Sequence, residues 1–311
     1  MNGVINIYKE KGCTSFSAAA RLRKITGERK TGHTGTLDPD ACGVLPVCLG
    51  KATKLVGLLA DTDKEYRTQM IFGTATDTLD ISGTVLKKMD LAEAVRRLES
   101  KEKIIDAIKS FEGDIYQLPP MYSAVKVGGV KLVDAARKGQ EIERKPRPVT
   151  IYGIPDIEIA DDLLSAAFTV NCSKGTYIRT LCADIGGRLG VPACMKELER
   201  TRACGFSLEG SHTLSEVEEY KEAGRLGELI IPADSLLTEY AALTVGKEAV
   251  KRLVFGNFMY FEDFIPDQKL KIPGTYRIYD ENGMFYGLYK YNEGERFYRC
   301  RKMLTEQELP G

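Results

Sequence analysis

The chain has 311 residues, of which 43% are hydrophobic and 28% charged, and its 44 basic and 44 acidic residues cancel to zero net charge. That length fits one large domain or two ordinary ones and needs no disulfide or metal staple. The composition argues against a mostly disordered chain, and no apolar run is long enough to suggest a transmembrane helix.

The start, MNGVINIYKEKG, carries charge where a signal peptide needs its apolar stretch, so a cytoplasmic protein is expected. Thr14 or Ser15 is placed to cap a helix running through Phe16, Ala19, Ala20 and Arg23. Residues 30–46, KTGHTGTLDPDACGVLP, hold three glycines, two prolines, two aspartates and a histidine, and suit neither a helix nor a central strand. Pro39 fixes its own φ and pushes Asp38 away from the α region. The segment reads either as an Asx turn or as a loop that presents the Asp38 carboxylate.

Tyr66, Thr68, Met70 and Phe72 alternate as in a strand. Leu91, Ala94, Val95 and Leu98 have helical spacing, and Ile104, Ile105 and Ile108 predict a second helix after a charged break at 101–103. Residues 148–159 and 166–172 are β-rich. Ile178, Leu181, Ile185 and Leu189 mark one helix face, ended by Gly190 and Pro192. Beyond Leu237 the composition shifts, and the last 72 residues hold eight of the fifteen tyrosines. Strand-like runs at 276–279 and 284–291 flank Asp280-Glu281-Asn282-Gly283, a hairpin signal because both Asn and Gly tolerate positive φ. We place a boundary near 238–243, with a first domain over 1–238 and a small β-rich domain over 244–311. The mixed order of elements suggests an α+β fold.

The eight cysteines form no Cys-x-x-Cys pair, and His33 and His212 are the only histidines, so free thiols and no metal are expected. Residues 1–60 hold nine Lys/Arg against four Asp/Glu, and residues 124–150 hold seven against three. Two basic segments on an otherwise acidic chain suit a polyanion-facing surface, or two solvated faces pointing apart. On pattern alone Tyr66, Tyr177 and Leu198 read as core residues, Arg179 as a solvated helix arginine and His33 as a solvated loop histidine.

The stretch GHTGTLDPDACGVLPVCLGKATK at 32–54 resembles the signature of the TruB family of tRNA pseudouridine synthases. KGCTSF at 11–16, DKEYR at 63–67 and CSKGTYIRTLCADIG at 172–186 resemble further motifs of that family, and LERTRACGFS at 198–207 and IIPADSLL at 230–237 also fit. PPMYSAVKVGGVKL at 119–132 and RKPRPVTIY at 144–152 resemble its RNA-gripping segment, which would span about 119–152. GNFMYF at 256–261 and GTYRIYDENGMFYGL at 274–288 are similar, more weakly, to its small C-terminal PUA-type RNA-binding domain. Glu10, Asp40 and Cys42 depart from the usual residues of these motifs, where proline, an apolar residue and threonine are common.

The resemblance implies a mixed, largely antiparallel central sheet with flanking helices, followed by a PUA-like domain. It implies isomerisation of one uridine in the tRNA T-loop, at position 55, to pseudouridine, with neither cofactor nor metal. Asp38 would be the catalytic aspartate, attacking C6 of the base or C1′ of the ribose, or driving elimination. Arg179 would pair with it, and Tyr66 would stack on the base and help remove the C5 proton. Tyr177 and Leu198 would contact the uracil, and His33 would fill the space left by the flipped nucleotide. Lys9 is grouped with the substrate-binding residues and is read as supporting the loop. Arg23, Lys30, Lys126, Lys131, Arg144 and Arg147 would contact RNA backbone. The expected partner is the T-arm stem-loop of tRNA, with no membrane, guide RNA or obligate protein partner, and a monomer suffices. The alternatives are a tRNA-folding chaperone without catalysis and a guide-RNA-dependent relative of the dyskerin type. A metal-dependent hydrolase fails for want of ligands.

Overall fold

The computed structural model describes residues 1–265 and 274–305. Strand β1 (Gly3–Lys9) leads into helix α1 (Ser15–Thr26), then β2 (Thr31–His33) and β3 (Cys42–Leu49). A short helix α2 (Val56–Ala60) precedes β4 (Lys64–Phe72), and a ribbon of β5 (Thr74–Thr76) and β6 (Val85–Lys88) follows. Helices α3 (Leu91–Leu98) and α4 (Lys101–Lys109) lead to β7 (Gly113–Gln117). A second ribbon, β8 (Lys126–Val127) with β9 (Val130–Lys131), and helix α5 (Leu132–Ala136) come next. Then follow β10 (Arg147–Gly153), β11 (Glu158–Ile159), β12 (Ser165–Cys172) and α6 (Ile178–Leu189). Strands β13 (Ala193–Ala203) and β14 (Phe206–Ser207) and helix α7 (Leu214–Glu222) close the larger part. Beyond it lie β15 (Ala241–Val245), α8 (Val250–Val254), β16 (Thr275–Asp280), β17 (Phe285–Asn292) and β18 (Phe297–Met303).

The main sheet runs in the order β1-β3-β13-β4-β12-β10-β7. Its pairings are antiparallel except β13 with β3, so the sheet is mixed and largely antiparallel, with helices flanking it, as expected. One core packs α3, α4 and α6 against β4, β12 and β13; another packs α1 and α7 against β1 and β3. The second sheet, β15-β16-β17-β18, has its own tyrosine-rich core around Tyr276, Tyr289 and Tyr298. Its Leu288 and Leu304 also pack with Val4, Leu55 and Leu237 in a shared cluster. Among the described residues no helix is long and apolar enough to cross a membrane.

Local signals explain many boundaries. Thr14 caps α1 by accepting from the Ser17 amide at 3.0 Å, and Gly27 ends it at φ 72°. Gly190 ends α6 at φ 70°. The charged run 101–103, expected as a break, is instead the first turn of α4. The break falls at Glu99 and Ser100, because Ser100 supplies the N-cap and accepts from Lys103 N. Residues 30–46 are less irregular than expected. β2 and β3 begin inside that stretch, and every residue of β3 is buried. Its glycines and prolines disguised a central strand. Pro46 lies between the positions of β3 that pair with β13 (42–43) and those that pair with β2 (47–49).

The 280–283 hairpin also differs in detail. Only Gly283 has positive φ, at 78°, and its amide bonds to Asp280 O. Asp280 Oδ1 accepts from the Asn282 and Met284 amides, so an aspartate-anchored turn with one glycine at positive φ replaces the two-residue positive-φ turn. The second sheet begins at Ala241, within the 238–243 stretch read as the boundary.

Gly43 decides how closely β13 approaches. Its φ is 106°, and a Cβ there would sit 2.3 Å from Arg200 O and 2.8 Å from Arg200 N. The clash is with backbone, so it cannot be relieved by a rotamer change. Gly43→Ala should cost on the order of 3–5 kcal/mol, combining positive-φ strain with overpacking. A chemical denaturation midpoint within error of the parent would refute this.

Candidate active site

The loop between β2 and β3 is held from three directions. Ser15 Oγ accepts from Leu37 N at 2.8 Å and donates to Leu37 O at 3.2 Å. Lys9, 1% exposed, donates from Nζ to Ala41 O at 2.6 Å, to Glu10 O at 3.0 Å and to Pro39 O at 3.1 Å. The Gly12 amide bonds Pro39 O, and the Ala41 amide closes a turn onto Asp38 O. This turn is made by backbone, which leaves the Asp38 side chain available to reach Arg179. Asp40, the neighbouring carboxylate, is exposed.

Asp38 meets Arg179 in a two-pronged pair: Arg179 Nε to Oδ2 at 3.0 Å and Nη2 to Oδ1 at 3.2 Å. Arg179 sits in the first turn of α6 and is 6% exposed at its side chain, while a third of the Asp38 side chain remains open. The guanidinium also donates to Thr78 O at 3.0 Å and Tyr122 O at 2.8 Å, and lies 3.6 Å from Asp80 Oδ2. All five of its N–H groups therefore face an oxygen. Such a fork fixes carboxylate orientation in a way that a lysine cannot. Burial pushes the Asp38 carboxyl above its ordinary 3.8, Arg179 opposes this, and Asp80 adds to it.

Asp38, Arg179, Tyr66, His33, Tyr177 and Leu198 all line one cavity of about 670 Å³. Tyr66 comes from β4 and Leu198 from β13; Tyr177 caps α6 at its N-terminus. Gln117 holds Tyr177 by a reciprocal pair, accepting from Tyr177 N at 2.9 Å and donating to Tyr177 O at 3.2 Å. Burial pushes the Tyr66 phenol up from its ordinary pKa, and the Arg200 charge pulls it down. Burial and Arg200 lower the His33 pKa, so its ring is neutral at pH 7. His33 Nδ1 is buried without a hydrogen-bond partner.

The remaining expected residues divide. Lys131 reaches the rim of the main cavity. Lys126, Arg144 and Arg147 surround a separate hollow of about 520 Å³, where Arg144 Nη1 also donates to Pro119 O at 3.1 Å. Arg23 and Lys30 are exposed and line neither space. Lys9 is not among the residues lining the main cavity, and its ammonium donates to three loop carbonyls. Three contributors escaped the sequence reading: Asp80, Gln117 and the buried Arg200. Each is defined by a partner distant in sequence, and of the three only Arg200 falls within a family-like motif, LERTRACGFS at 198–207, where the resemblance gives it no role. Among the described residues no His, Cys, Asp and Glu group is placed to hold a metal.

Comparison with known proteins adds to this geometry. Residues 23–178 match the family model for the N-terminal domain of TruB family pseudouridylate synthases, and residues 179–238 match that for the tRNA pseudouridylate synthase B C-terminal domain. The tRNA pseudouridine synthase B of Clostridium tetani is 43% identical over 288 residues, covering 93% of this chain and 95% of the relative. That of Lachnoclostridium phytofermentans is 44% identical over 313 residues, covering 97% and 99%. Among solved structures, an H/ACA ribonucleoprotein bound to a substrate RNA containing 2′-deoxyuridine aligns with TM-score 0.70 and 26% identity, over 98% of this chain and 86% of that one. A Cbf5-Nop10-Gar1 complex aligns with TM-score 0.67 and 29% identity, over 99% and 84%.

Proposed function

This chain belongs to the TruB family of pseudouridylate synthases, and we propose that it isomerises the uridine at position 55 of the tRNA T-loop with Asp38 as nucleophile. The coarser activity, tRNA pseudouridine synthesis, follows from that membership. The observation that carries the finer reading is the forked Asp38–Arg179 pair at the floor of the cavity, beside Tyr66.

Arg179 holds the carboxylate oriented, so that its free face can attack C6 or C1′ of a flipped nucleotide, or drive elimination. Tyr66 stacks on the uracil and takes its C5 proton; Tyr177 and Leu198 wall the base. The neutral His33 ring, with its unpartnered Nδ1, occupies the place vacated by the flipped base. The basic hollow formed by Lys126, Arg144 and Arg147 supplies phosphate contacts from the chain itself. Action without guide RNA or partner protein is part of the same reading, since the chain carries this basic hollow itself. The second sheet, with Lys290, Arg299 and Arg301 around one surface hollow, serves as a PUA-like RNA-binding domain over 244–311.

The test is release of tritium from uracil C5 of an unmodified tRNA transcript by the purified chain alone. About one equivalent per tRNA is expected, with none from a transcript lacking the T-loop uridine, as stoichiometric turnover of one site requires. Tight binding without release would instead favour the chaperone reading. If about six basic groups contact phosphates, affinity should fall on the order of 10³-fold between 50 and 200 mM salt. Filter binding across that range checks this; a flat response would remove the basic surface from RNA recognition.

The pH dependence has a definite sign. The nucleophile must be ionised, and burial holds its pKa above 3.8. Activity should therefore be lost as pH falls through this raised value, and the acid limb of kcat/KM should lie above that of an ordinary aspartate. An acid limb at or below 3.8 would contradict the environment described for Asp38.

A further inference from the structure

Arg200 and Lys9 are both cations 1% exposed and held by backbone carbonyls, and of the two only Arg200 is among the residues that line the cavity holding Asp38 and Tyr66. Arg200 Nε donates to Val44 O at 2.8 Å and its Nη2 to Gly35 O at 3.2 Å. Among the described residues it has no carboxylate partner. A buried cation without an anion is costly, and one that borders a reaction site is placed to meet an anion that forms there.

The register shows where that anion forms. Arg200 on β13 lies directly opposite Tyr66 on β4, and the pairing shifts between Arg200 and Arg202. A bulge of this kind re-aims a side chain next to a site, and directly opposed residues on one face are near neighbours. Both residues line the same cavity.

We propose that Arg200 is the counter-cation for a phenolate formed at Tyr66 during the reaction, a positioning residue that acts through Tyr66 on the C5 proton. The inference rests on the reading of Tyr66 as the C5 base. The phenol first gives its own proton to water through the open cavity. Once C5 is joined to C1′, the phenolate oxygen bonds the C5 hydrogen as the C5–H bond breaks. The C–H electron pair closes the C5=C6 double bond. The electrons displaced from C6 go to N1, which takes up a proton, or to the departing Asp38 carboxylate if that was bound at C6. No atoms are gained or lost between uridine and pseudouridine.

The groups facing the phenol support this assignment. Asp38 from the loop and Cys172 from β12 disfavour a second negative charge there, and Arg200 favours it. Lys64 donates to Ala60 O at 2.7 Å, and Arg179 is saturated by Asp38, Asp80 and two carbonyls. Lys131, Arg137 and Lys174 also line the cavity, but only Arg200 lies directly opposite Tyr66 in the sheet. Its burial leaves no open face for an RNA phosphate.

The experiment measures single-turnover C5 tritium release and tRNA affinity for Y66F, R200Q and R200K. Y66F should lose at least about 10³-fold in rate, R200Q about 100-fold with affinity within about threefold, and R200K should recover about tenfold of the R200Q loss. Installing a fluorinated, more acidic phenol at position 66 should speed R200Q by about tenfold, which a packing role would not produce. Near-parental release by Y66F would remove Tyr66 as base and the inference with it. Loss of Y66F release, together with an R200Q that loses affinity instead of rate or is not rescued by the acidic phenol, would overturn the role of Arg200 alone. Should R200Q not fold, R200K carries the test. The fluorine resonance at position 66 should titrate at higher pH in R200K than with arginine, and a rate loss without that movement would overturn the inference.

Discussion

Asp38→Asn should abolish pseudouridine formation, lowering single-turnover release by at least about 10⁴-fold, while tRNA affinity stays within about twofold. The substitution keeps shape and removes only the nucleophilic charge. The loop would not shift, because Ser15, Lys9 and Gly12 hold it through backbone atoms and Asp38 contributes its side chain to none of those contacts. Arg179 would keep Asp80, Thr78 O and Tyr122 O. The C5 assay and a binding isotherm on the same preparation separate the outcomes. Residual turnover within about 100-fold of the parent would take Asp38 out of its role, and a parallel collapse of affinity would mean that the loop had moved.

Arg179→Ala should damage both stability and rate. It would leave the Asp38 and Asp80 carboxylates facing a vacated space and strip a donor from each of Thr78 O and Tyr122 O. Removing one member of such a buried network costs on the order of 3–5 kcal/mol. The midpoint of thermal unfolding should fall by roughly 5–15 °C, with turnover down at least about 10³-fold. Without the cation the Asp38 pKa should rise further, so the residual activity should increase from pH 6 to pH 8 more steeply than in the parent. Arg179→Lys should recover more of the stability than of the rate, since an ammonium supplies charge but not the fork. Parental melting in the alanine variant would show that the network is decorative.

Residues 32–54 and the motifs around Tyr66 and Arg179 pointed to this cavity through their resemblance to the family, since local chemistry left Asp38 in either a turn or a presenting loop and read Tyr66 as core. Thr14, Gly27 and Gly190 announced helix ends through local capping rules. What escaped was set by long-range register. Asp80 matters because its ribbon delivers it to Arg179, and Arg200 because β13 stands opposite β4. The arginine in α6 was misread as solvated on pattern alone, since helical spacing reveals a face but not what covers it. β3 was hidden by Gly43 and Pro46, whose tolerance depends on which neighbour supplies the ladder at each position. The 280–283 turn was correctly placed and wrongly typed, because the Asp280 side chain took over bonds that the dipeptide rule assigns to backbone.

The apolar cluster shared by the two sheets bears on how the chain comes apart. Leu288 and Leu304 close over Val4, Leu55 and Leu237, Lys54 donates to Met303 O at 2.8 Å, and Tyr279 bonds Asp234 at 3.0 Å. Cutting the chain after residue 243 would therefore uncover greasy surface on the larger part as well as remove a module. A truncated protein would lose solubility together with the module proposed to bind RNA, so its phenotype would report packing as much as recognition. Intact, the two sheets should melt in a single calorimetric peak whose van't Hoff and measured enthalpies agree, the larger one borrowing its resistance to heat from the smaller.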